Sequence, residues 1–333
     1  MVEPRNFSEF DEDDVRSRPA RSTRPRTKDR PDYSDAMQGF VIAVDRGRVT
    51  CLVNSQESEG LTDGVITAMK SREIGKTSVV VGDLVGIVGD TTGIEGSLAR
   101  IVTVTPRRNA LTRTVDDDAE IERMIVANVD QMAIVIASAN PEPRHGFVDR
   151  ALVVAFDQGI KPIIIMTKCD LSEGEEFLAS YKDLNVQIFK TQIKNQKGNE
   201  LDEIRNILAG KTTVLLGHSG VGKSTLVNAL VETADRATGS VNEATGRGRH
   251  TSSSAIALAL ESGWIIDTPG VRSFGVAHVD SKRVIGAFSE FSEAIEHCPK
   301  NCSHNEESCA LNSWELDANS KSRLESLRRL LKA

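Results

Sequence analysis

The sequence predicts a multi-domain α/β chain with three modules: an N-terminal β-barrel of the oligonucleotide-binding (OB) type, a central α/β domain and a C-terminal helical module. Short β-rich runs with period-two alternation fill residues 36–107. Apolar strands alternate with helical segments over residues 108–275, as in a mostly parallel sheet covered by helices. Residues 276–333 combine helical patterns with a cysteine cluster. A chain of 333 residues also exceeds the roughly 250–300 residues that one hydrophobic core supports.

Residues 1–35 predict a disordered arm. An acidic stretch at 7–14 precedes an arginine-rich stretch at 16–30, and neither can bury enough apolar surface to offset the entropy of ordering. Two roles stay open for the arm, a solubilising tail and a phosphate-binding segment. It has no apolar core of a secretory signal, and the chain has no apolar run of about 18 residues. We therefore expect a cytoplasmic protein, with a formal net charge of −7.

The barrel region predicts about five short strands separated by glycine and polar turns. Phe40 is its only aromatic residue, whereas barrels that bind nucleic acid usually stack bases on aromatic rings. A nucleic-acid-binding barrel and a plain packing or docking module therefore both fit the composition. The segment "RRNALTRTVDDDAEIER" at 107–123 is interpreted as a linker to the central domain.

Within the central domain, "GHSGVGKST" at 217–225 follows an apolar strand and opens a helix. This is the context that a phosphate-binding loop of the GxxxxGK[ST] type requires, because its glycines let backbone amides converge on phosphate oxygens at a helix N-terminus. Lys223 supplies a positive charge to the outer phosphates, and the Ser224 hydroxyl is a ligand for Mg²⁺. An ordinary glycine-rich turn is the alternative.

A second phosphate motif, "DTPG", follows the apolar strand "WII". Asp267 would hold Mg²⁺ through water, and the Gly270 amide would approach the terminal phosphate. The pair of runs in "AIALALESGWIIDTPG" predicts a β-hairpin or strand pair. Between the two phosphate motifs lies a polar segment in which Thr251 or Ser252 would close on Mg²⁺, unless the segment is a plain connection.

A base-reading motif, "TKCD", follows the buried strand "PIII". The Asp170 carboxylate can accept two hydrogen bonds from the ring N–H and exocyclic amine of guanine, a donor pair that adenine lacks. The Lys168 stem can lie over the base. Guanine is therefore the predicted base, and GTP or GDP the predicted ligand.

The motifs stand in an unusual order, because TKCD precedes the phosphate loop. An open sheet builds its site from strand ends, so joining the old termini and cutting elsewhere preserves the pocket. The sequence therefore predicts a circularly permuted GTPase domain. In the permuted order, DTPG is followed directly by the C-terminal module. Motion driven by the third phosphate of GTP can therefore pass to that module.

The ordered set TKCD, GHSGVGKST, GRGRHTSSS, DTPGVRSFG and a Cys/His cluster, behind a barrel, resembles the small-subunit-dependent GTPases of the RsgA (YjeQ) family. The resemblance covers nearly everything after residue 36. It implies an OB barrel, a permuted GTPase domain and a zinc domain. It further implies GTP hydrolysis stimulated by the small ribosomal subunit, a role in late maturation of that subunit, and contact with ribosomal RNA. We expect a monomer that binds neither membrane nor DNA.

This sequence departs from the family pattern at several positions. Thr167 replaces the usual Asn, which removes an amide that braces the phosphate loop, and His218 replaces the commoner Gln. The spacing of the cysteines is slightly compressed. "KTQIKNQKG" resembles a degenerate fifth motif, so Thr191 and Gln192 are expected near the base.

Slow intrinsic hydrolysis is expected, because apolar Val271 follows Gly270 where many GTPases orient water with Gln. His250 is the leading substitute for orienting water, with an RNA-facing or exposed histidine as the alternative. The catalytic candidates are His250, Thr251 and Lys223. The candidates for holding Mg²⁺ are Ser224, Thr251 and Asp267. The nucleotide-binding candidates are Thr167, Lys168, Cys169, Asp170, Thr191, Gln192, Gly217, His218, Ser219, Gly220, Val221, Gly222, Lys223, Ser224, Thr225, Asp267 and Gly270.

The C-terminal cluster "CPKNCSHNEESC" predicts one structural Zn²⁺. Its three thiolates and one imidazole suit tetrahedral zinc, and four protein ligands leave no open position for catalysis. The ligands are Cys298, Cys302, His304 and Cys309, with His297 as an alternative. Cys51 and Cys169 are interpreted as small buried residues. Nearby basic residues either form a face for RNA phosphates or a solvated helix face; these are Lys300, Arg323, Arg328, Arg329 and Lys332.

Two rival functions remain open from the sequence. One is a P-loop ATPase or small-molecule kinase, in which Asp170 would not select guanine as the base. The other is a zinc-containing RNA-binding scaffold that binds nucleotide without hydrolysing it.

Overall fold

The structure is a computed structural model that describes residues 33–55, 62–75, 77–94, 96–114, 122–193, 200–231, 255–268, 281–314 and 316–332. Residues 36–333 form one compact unit. Most of the predicted arginine-rich arm lies outside the described residues. Across the helices that the structure describes, none combines the length and apolar character needed to span a membrane.

The N-terminal strands close into a five-stranded barrel, as predicted. The strands are paired in the order β1, β2, β3, β5, β4, and β4 pairs back onto β1. Alternate residues point inward, so Val41, Cys51 and Ile66 are buried in the barrel core. The strands are β1 (Met37–Asp45), β2 (Arg48–Ser55), β3 (Thr62–Lys70), β4 (Leu84–Gly89) and β5 (Ala99–Val104).

The β1–β2 connection is a two-residue turn. Arg46 and Gly47 both have positive φ, 44° and 84°, as the tight turns of β-hairpins require. Cys51 lies fully inside the barrel, and burial raises the pKa of its thiol to about 12. Its predicted role as a small buried residue is therefore confirmed.

Part of the segment interpreted as a linker forms a two-stranded antiparallel sheet with the residues that follow it. It consists of β6 (Ala110–Thr114) and β7 (Glu122–Ala127). The linker prediction was wrong for these residues. Leu111 and Val126 are buried between the barrel and the core of the central domain. The Ala127 N–H donates a hydrogen bond to the carbonyl oxygen of Val81, on the barrel side. Their apolar alternation is short and flanked by charges, which hid it in the sequence.

The central sheet has six strands in the order β10, β9, β8, β11, β13, β12. All pairs are parallel except β12–β13, which is the predicted antiparallel strand pair. The strands are β8 (Gln131–Ala137), β9 (Lys161–Thr167), β10 (Gln187–Lys190), β11 (Thr212–Leu216), β12 (Ile256–Ala259) and β13 (Trp264–Asp267). The carboxyl ends of β8, β9, β11 and β13 therefore meet at one edge, where a ligand site is expected.

Helices cover both faces of this sheet, because its central strands are apolar on both sides. The helices are α1 (His145–Asp157), α2 (Glu175–Ala179), α3 (Glu200–Leu208) and α4 (Lys223–Val231). The predicted helix that ends at the DQG sequence is α1, and Gly159 follows it with φ of 62°.

The C-terminal module packs on the same face as α1. It contains α5 (Ser281–Gly286), α6 (Ser292–Glu296) and α7 (Ala318–Leu330), with short 3-10 turns at 289–291 and 310–312. Asp317 caps α7, because its carboxylate accepts a hydrogen bond from Ser320 N–H at 2.7 Å. Phe288, Phe291 and Leu327 are buried in the core that α1 also lines.

The barrel is joined to the central sheet through β1. Ala43 pairs with Ile256 of β12, next to a β-bulge between Val41 and Ala43. The bulge turns Ile42 out of the barrel and into the core of the central domain, where it is fully buried. The Phe40 ring lies 5.1 Å from the Trp264 ring across the same junction.

Candidate nucleotide and zinc sites

The glycine-rich turn between β11 and α4 has the shape of a phosphate-binding loop. Gly220 and Gly222 have φ of 82° and 89°, which other residues rarely adopt. At Gly217 a Cβ would lie 2.6 Å from the Val135 carbonyl oxygen, so no side chain fits there. The turn therefore passes close to β8 and opens its backbone toward the sheet edge.

Lys223 and Asp267 meet at this edge. The Lys223 ammonium lies 2.9 Å from the Asp267 carboxylate and donates to the Thr268 carbonyl oxygen at 2.7 Å. Thr268 is held in turn by its hydroxyl, which donates to Leu215 O at 2.8 Å. The two phosphate motifs thus converge from neighbouring strands, as the sequence predicts.

The TKCD segment lies directly against the phosphate loop. Thr167 is buried, and its hydroxyl contacts the carbonyl oxygens of Val221 and, at 3.2 Å, of Ile136. A Cβ at Gly222 would come within 3.3 Å of the same hydroxyl. The expected loss of the brace at position 167 is therefore corrected: the asparagine amide is absent, but the threonine hydroxyl makes the contact to the loop.

Lys168 has a positive φ of 57°, and its ammonium donates to the Asn140 carbonyl oxygen. The Ser138 hydroxyl donates to Lys168 O at 2.6 Å. These contacts fix the loop after β9 to the loop after β8. Cys169 is half-buried rather than fully buried, with its thiol 3.4 Å from Met166 O, and burial raises the pKa of that thiol.

A cavity of about 190 Å³ opens between TKCD and the phosphate loop. Asp170 is exposed and lies at the edge of this cavity. The cavity is lined by Thr167, Lys168, Asp170, Leu171, Ile193, Gly222 and Thr225. The structure thus brings together the base-reading and phosphate residues that are separated in the sequence.

The segment 190–198, which resembles the fifth motif, contributes one described residue to the lining of the cavity. Within the part of the chain that the structure describes, Ile193 lines the cavity, whereas Thr191 and Gln192 are not among the lining residues. Thr191 is buried and bonds through its N–H to Met166 O at 2.8 Å. Leu171, exposed by 53 %, also lines the cavity. The sequence contained one signal for Leu171, because it is an apolar residue directly after Asp170.

His218 of the phosphate loop packs against α1. Its ring centroid lies 4.4 Å from that of Phe147, with the rings tilted by 47°. The residue that replaces the family's commoner Gln therefore makes an aromatic contact with a neighbouring helix. His250, Thr251 and Gly270 lie outside the described residues.

The zinc candidates form one cluster. The ligand atoms of Cys298, Cys302, His304 and Cys309 all lie within 4.8 Å of one another. The Cys298 and Cys309 sulfurs are 3.8 Å apart, and Nδ1 of His304 lies 3.6 and 3.9 Å from them. In a tetrahedral Zn²⁺ site, Zn–S bonds are ~2.3 Å and Zn–N bonds are ~2.0–2.1 Å long. Two sulfur ligands are then about 3.8 Å apart, and a sulfur and a nitrogen ligand are about 3.6 Å apart. These residues therefore fit zinc.

The alternative ligand, His297, is directed elsewhere, because its ring stacks on Trp314 at a centroid distance of 5.9 Å. Burial lowers the pKa of His304, which keeps its imidazole neutral as a metal ligand must be. Burial raises the pKa of Cys302. In the absence of metal this thiol holds its proton, which metal binding would release.

Three arginines of the predicted basic face bind other parts of the chain. Arg323 contacts the Glu290 carboxylate and Asp183 O, Arg328 donates to His304 O at 2.9 Å, and Arg329 pairs with Asp149 at 3.1 Å. All three side chains therefore make contacts within the chain, and their contact with RNA stays a prediction. Lys300 and Lys332 are exposed.

A phosphate loop, an aspartate at the end of the neighbouring strand and a TKCD segment on the cavity wall define a P-loop GTPase domain. Its motif order is circularly permuted. The RsgA GTPase family model matches residues 104–277, more than half of the chain. The chain belongs to the RsgA GTPase family.

Individual relatives agree with this assignment. The chain is 39% identical over 245 residues to the "Small ribosomal subunit biogenesis GTPase RsgA" of Hahella chejuensis, covering 71% of this chain and 68% of that protein. It is 37% identical over 207 residues to the protein of the same name from Borreliella afzelii, covering 61% of this chain and 66% of the relative. The chain thus spans about two thirds of the length of these relatives.

A solved structure shares the fold. The crystal structure of YloQ, described as a circularly permuted GTPase, superimposes with a TM-score of 0.60 at 24% identity. The match covers 90% of this chain and 96% of that one. The likeness therefore extends over the barrel, the permuted domain and the C-terminal module.

Proposed function

We propose that this protein hydrolyses GTP and acts in the late maturation of the small ribosomal subunit, coupling its nucleotide state to binding and release of that subunit. The observation that carries the proposal is the cavity shared by Asp170, Lys168 and the phosphate loop. Family membership and the printed names of the relatives support the role in subunit biogenesis.

In this proposal the base enters the cavity beside Asp170. The carboxylate accepts hydrogen bonds from the guanine N–H groups, and the Lys168 stem lies over the ring. Leu171 and Ile193 add apolar contacts at the cavity wall. The cavity is smaller than the roughly 300–1,000 Å³ of whole-ligand pockets, which supports a base-binding subsite with the phosphates outside it over the glycine-rich turn.

The phosphates would lie along residues 217–225. Backbone amides at the start of α4 and the Lys223 ammonium provide positive charge there. Lys223 is paired with Asp267 in this structure, so its charge is already directed at the edge where the outer phosphates would bind. Mg²⁺ would be held by Ser224, Asp267 and Thr251, and when bound it neutralises charge that develops on the phosphates.

The remaining assignments extend the same proposal. His250 orients the attacking water, and intrinsic hydrolysis is slow until the small subunit stimulates it. One Zn²⁺ is held by the four residues of the C-terminal cluster and has a structural role. The protein is a cytoplasmic monomer with modules at 36–107, 108–275 and 276–333, preceded by an arm at 1–35, and it contacts ribosomal RNA without binding DNA.

One experiment tests the function directly. GTP turnover by the purified full chain is measured alone, with small ribosomal subunits, and with an equal concentration of large subunits. We expect slow turnover alone and stimulation by small subunits only. Equal turnover in all three reactions, or ATP hydrolysed as well as GTP, would contradict the proposal.

A further inference from the structure

Helix α1 contacts the phosphate loop on one side. The Phe147 side chain is buried, and its ring packs on His218 with centroids 4.4 Å apart. A buried aromatic contact of this kind restricts both partners, because displacement of the helix would open a gap beside the loop. The position of α1 therefore affects the conformation of the phosphate loop.

Helix α1 also contacts the C-terminal helix α7, through Asp149, which lies two residues after Phe147. The Asp149 carboxylate is buried, and Nε of Arg329 lies 3.1 Å from it. Arg329 also donates to Ser180 O at 3.0 Å and lies over the Tyr181 ring, 5.1 Å from its centroid. The Tyr181 hydroxyl is in turn 2.9 Å from Nδ1 of His145. Arg329 is thus held by three groups of the central domain.

The residue before Arg329 contacts the zinc loop, which is defined here as residues 298–309. Arg328 donates through Nε to the backbone carbonyl of the zinc ligand His304 at 2.9 Å, and its guanidinium also contacts the Asn312 side chain. Consecutive arginines of α7 therefore bind two different parts of the chain. One contacts the zinc loop and the other contacts α1, so α7 connects the zinc loop to α1.

The Asp149–Arg329 pair joins a buried carboxylate to a guanidinium that is partly exposed. Burial raises the pKa of Asp149 above its ordinary value, although the Arg329 charge acts in the opposite direction. A charge pair whose carboxylate is buried can fix one arrangement of the two helices, because moving either helix leaves that carboxylate unpaired.

We propose that Asp149 and Arg329 are positioning residues through which the zinc loop orders the phosphate loop, so that Zn²⁺ and guanine nucleotide bind with positive cooperativity. The inference rests on the proposed nucleotide site. Each ligand orders one end of the same connection, and the second ligand then binds to a chain that is already ordered. Because linkage is reciprocal, each ligand must increase the affinity for the other by the same factor.

The test uses the full chain with Zn²⁺ bound and after removal of Zn²⁺ by a chelator. The dissociation constant of GDP is measured with a fluorescent GDP analogue in both forms. We expect GDP to bind about 5-fold or more weakly without zinc, at the lower end of typical coupling between sites. Competition with a zinc indicator should show that saturating GDP strengthens zinc binding by the same factor.

Three variants assign the coupling to its residues. Arg329→Met keeps the packing of the side-chain stem and removes the ion pair, and Asp149→Asn removes the charge from the other partner. Both should bring the coupling factor close to one, and the double variant should behave like either single variant. Arg283→Met is the matched control, because Arg283 of α5 lies 4.0 Å from Asp157 of α1 but is not bonded to the zinc loop. It should retain the wild-type factor.

The outcomes distinguish the inference from the proposed function. If zinc-loaded wild-type protein fails to bind GDP, the proposed function is contradicted and the inference fails with it. GDP binding that is unaffected by zinc contradicts the inference alone. If the zinc-free chain unfolds, the comparison is made on zinc-loaded proteins, where Arg329→Met must weaken GDP binding and Arg283→Met must not. Equal GDP affinity of those two variants and wild type would overturn the inference.

Discussion

The Thr167 hydroxyl donates a hydrogen bond to the carbonyl oxygen of Val221, which lies 54 residues further along the chain. Thr167 ends strand β9, and Val221 belongs to the phosphate loop. The contact therefore joins the base-reading segment to the phosphate-binding segment. It gives threonine a role at a position where the family usually has asparagine.

We expect Thr167→Val to weaken GDP binding. Valine has nearly the same shape but no hydroxyl, so the Val221 carbonyl loses its partner at a cost of ~1–3 kcal/mol. If that cost falls on the nucleotide-binding conformation, affinity drops by about 5- to 150-fold. Titration with a fluorescent GDP analogue measures it. Thr167→Ser is the control and should bind nearly as well as wild type, whereas equal affinity of the valine variant would show that the contact does not support the loop.

Asp170→Asn should abolish the preference for GTP. The amide of asparagine cannot accept hydrogen bonds from both guanine N–H donors, and hydrogen bonds to charged groups contribute ~1.5–3 kcal/mol each. Competition of GTP and ATP for the site should show GTP affinity falling by about 100-fold or more while ATP affinity changes little. An unchanged ratio of the two affinities would place the base elsewhere.

His250→Ala tests the proposed water-orienting residue. The variant should bind GTP with normal affinity, because the histidine is not assigned to the base or phosphate contacts. Its turnover in the presence of small ribosomal subunits should fall by about 10²- to 10⁴-fold, the usual contribution of a positioned acid–base group. Single-turnover hydrolysis separates the chemical step from subunit binding. Full stimulated turnover by this variant would eliminate the assignment.

Zinc binding should weaken as the pH falls. Burial raises the pKa of Cys302 and lowers that of His304, so the thiol proton, not an imidazole proton, is the one displaced by metal near neutral pH. Each proton released changes the apparent affinity by about 10-fold per pH unit. Competition with a zinc indicator between pH 6 and pH 8 measures the slope. Zinc affinity that is constant over this range would contradict binding through protonated thiols.

Ile42→Ala should destabilise the junction between barrel and central domain. Ile42 is fully buried in the core of the central domain, and such a truncation costs ~2–5 kcal/mol. Denaturant unfolding gives the change in the free energy of unfolding. Ile94→Ala is the control, because Ile94 is 70% exposed and its loss should change stability by less than ~0.5 kcal/mol. Equal effects of the two substitutions would mean that the bulge does not join the two domains.

The nucleotide site was largely predictable because its key groups lie in short motifs at strand ends. A glycine-rich turn must be continuous in sequence to present its amides, and TKCD and Asp267 follow apolar strands that are easily recognised. Ile193 was missed because nothing in the local sequence separates it from Thr191 and Gln192. Only the tertiary structure shows that Ile193 lines the cavity.

The sequence by itself determined the order of the modules, the permuted order of the motifs and the four candidate zinc ligands. Each of these depends on residues that are close together in the chain. Only the tertiary structure decided the direction of the α7 arginines, the burial of Ile42 in a neighbouring core and the pairing of β6 with β7. An amphipathic helix has the same pattern whether its charges meet solvent or a buried aspartate, and a bulge shifts one residue without changing the alternation around it. Such choices are made by long-range packing, which a local pattern does not contain.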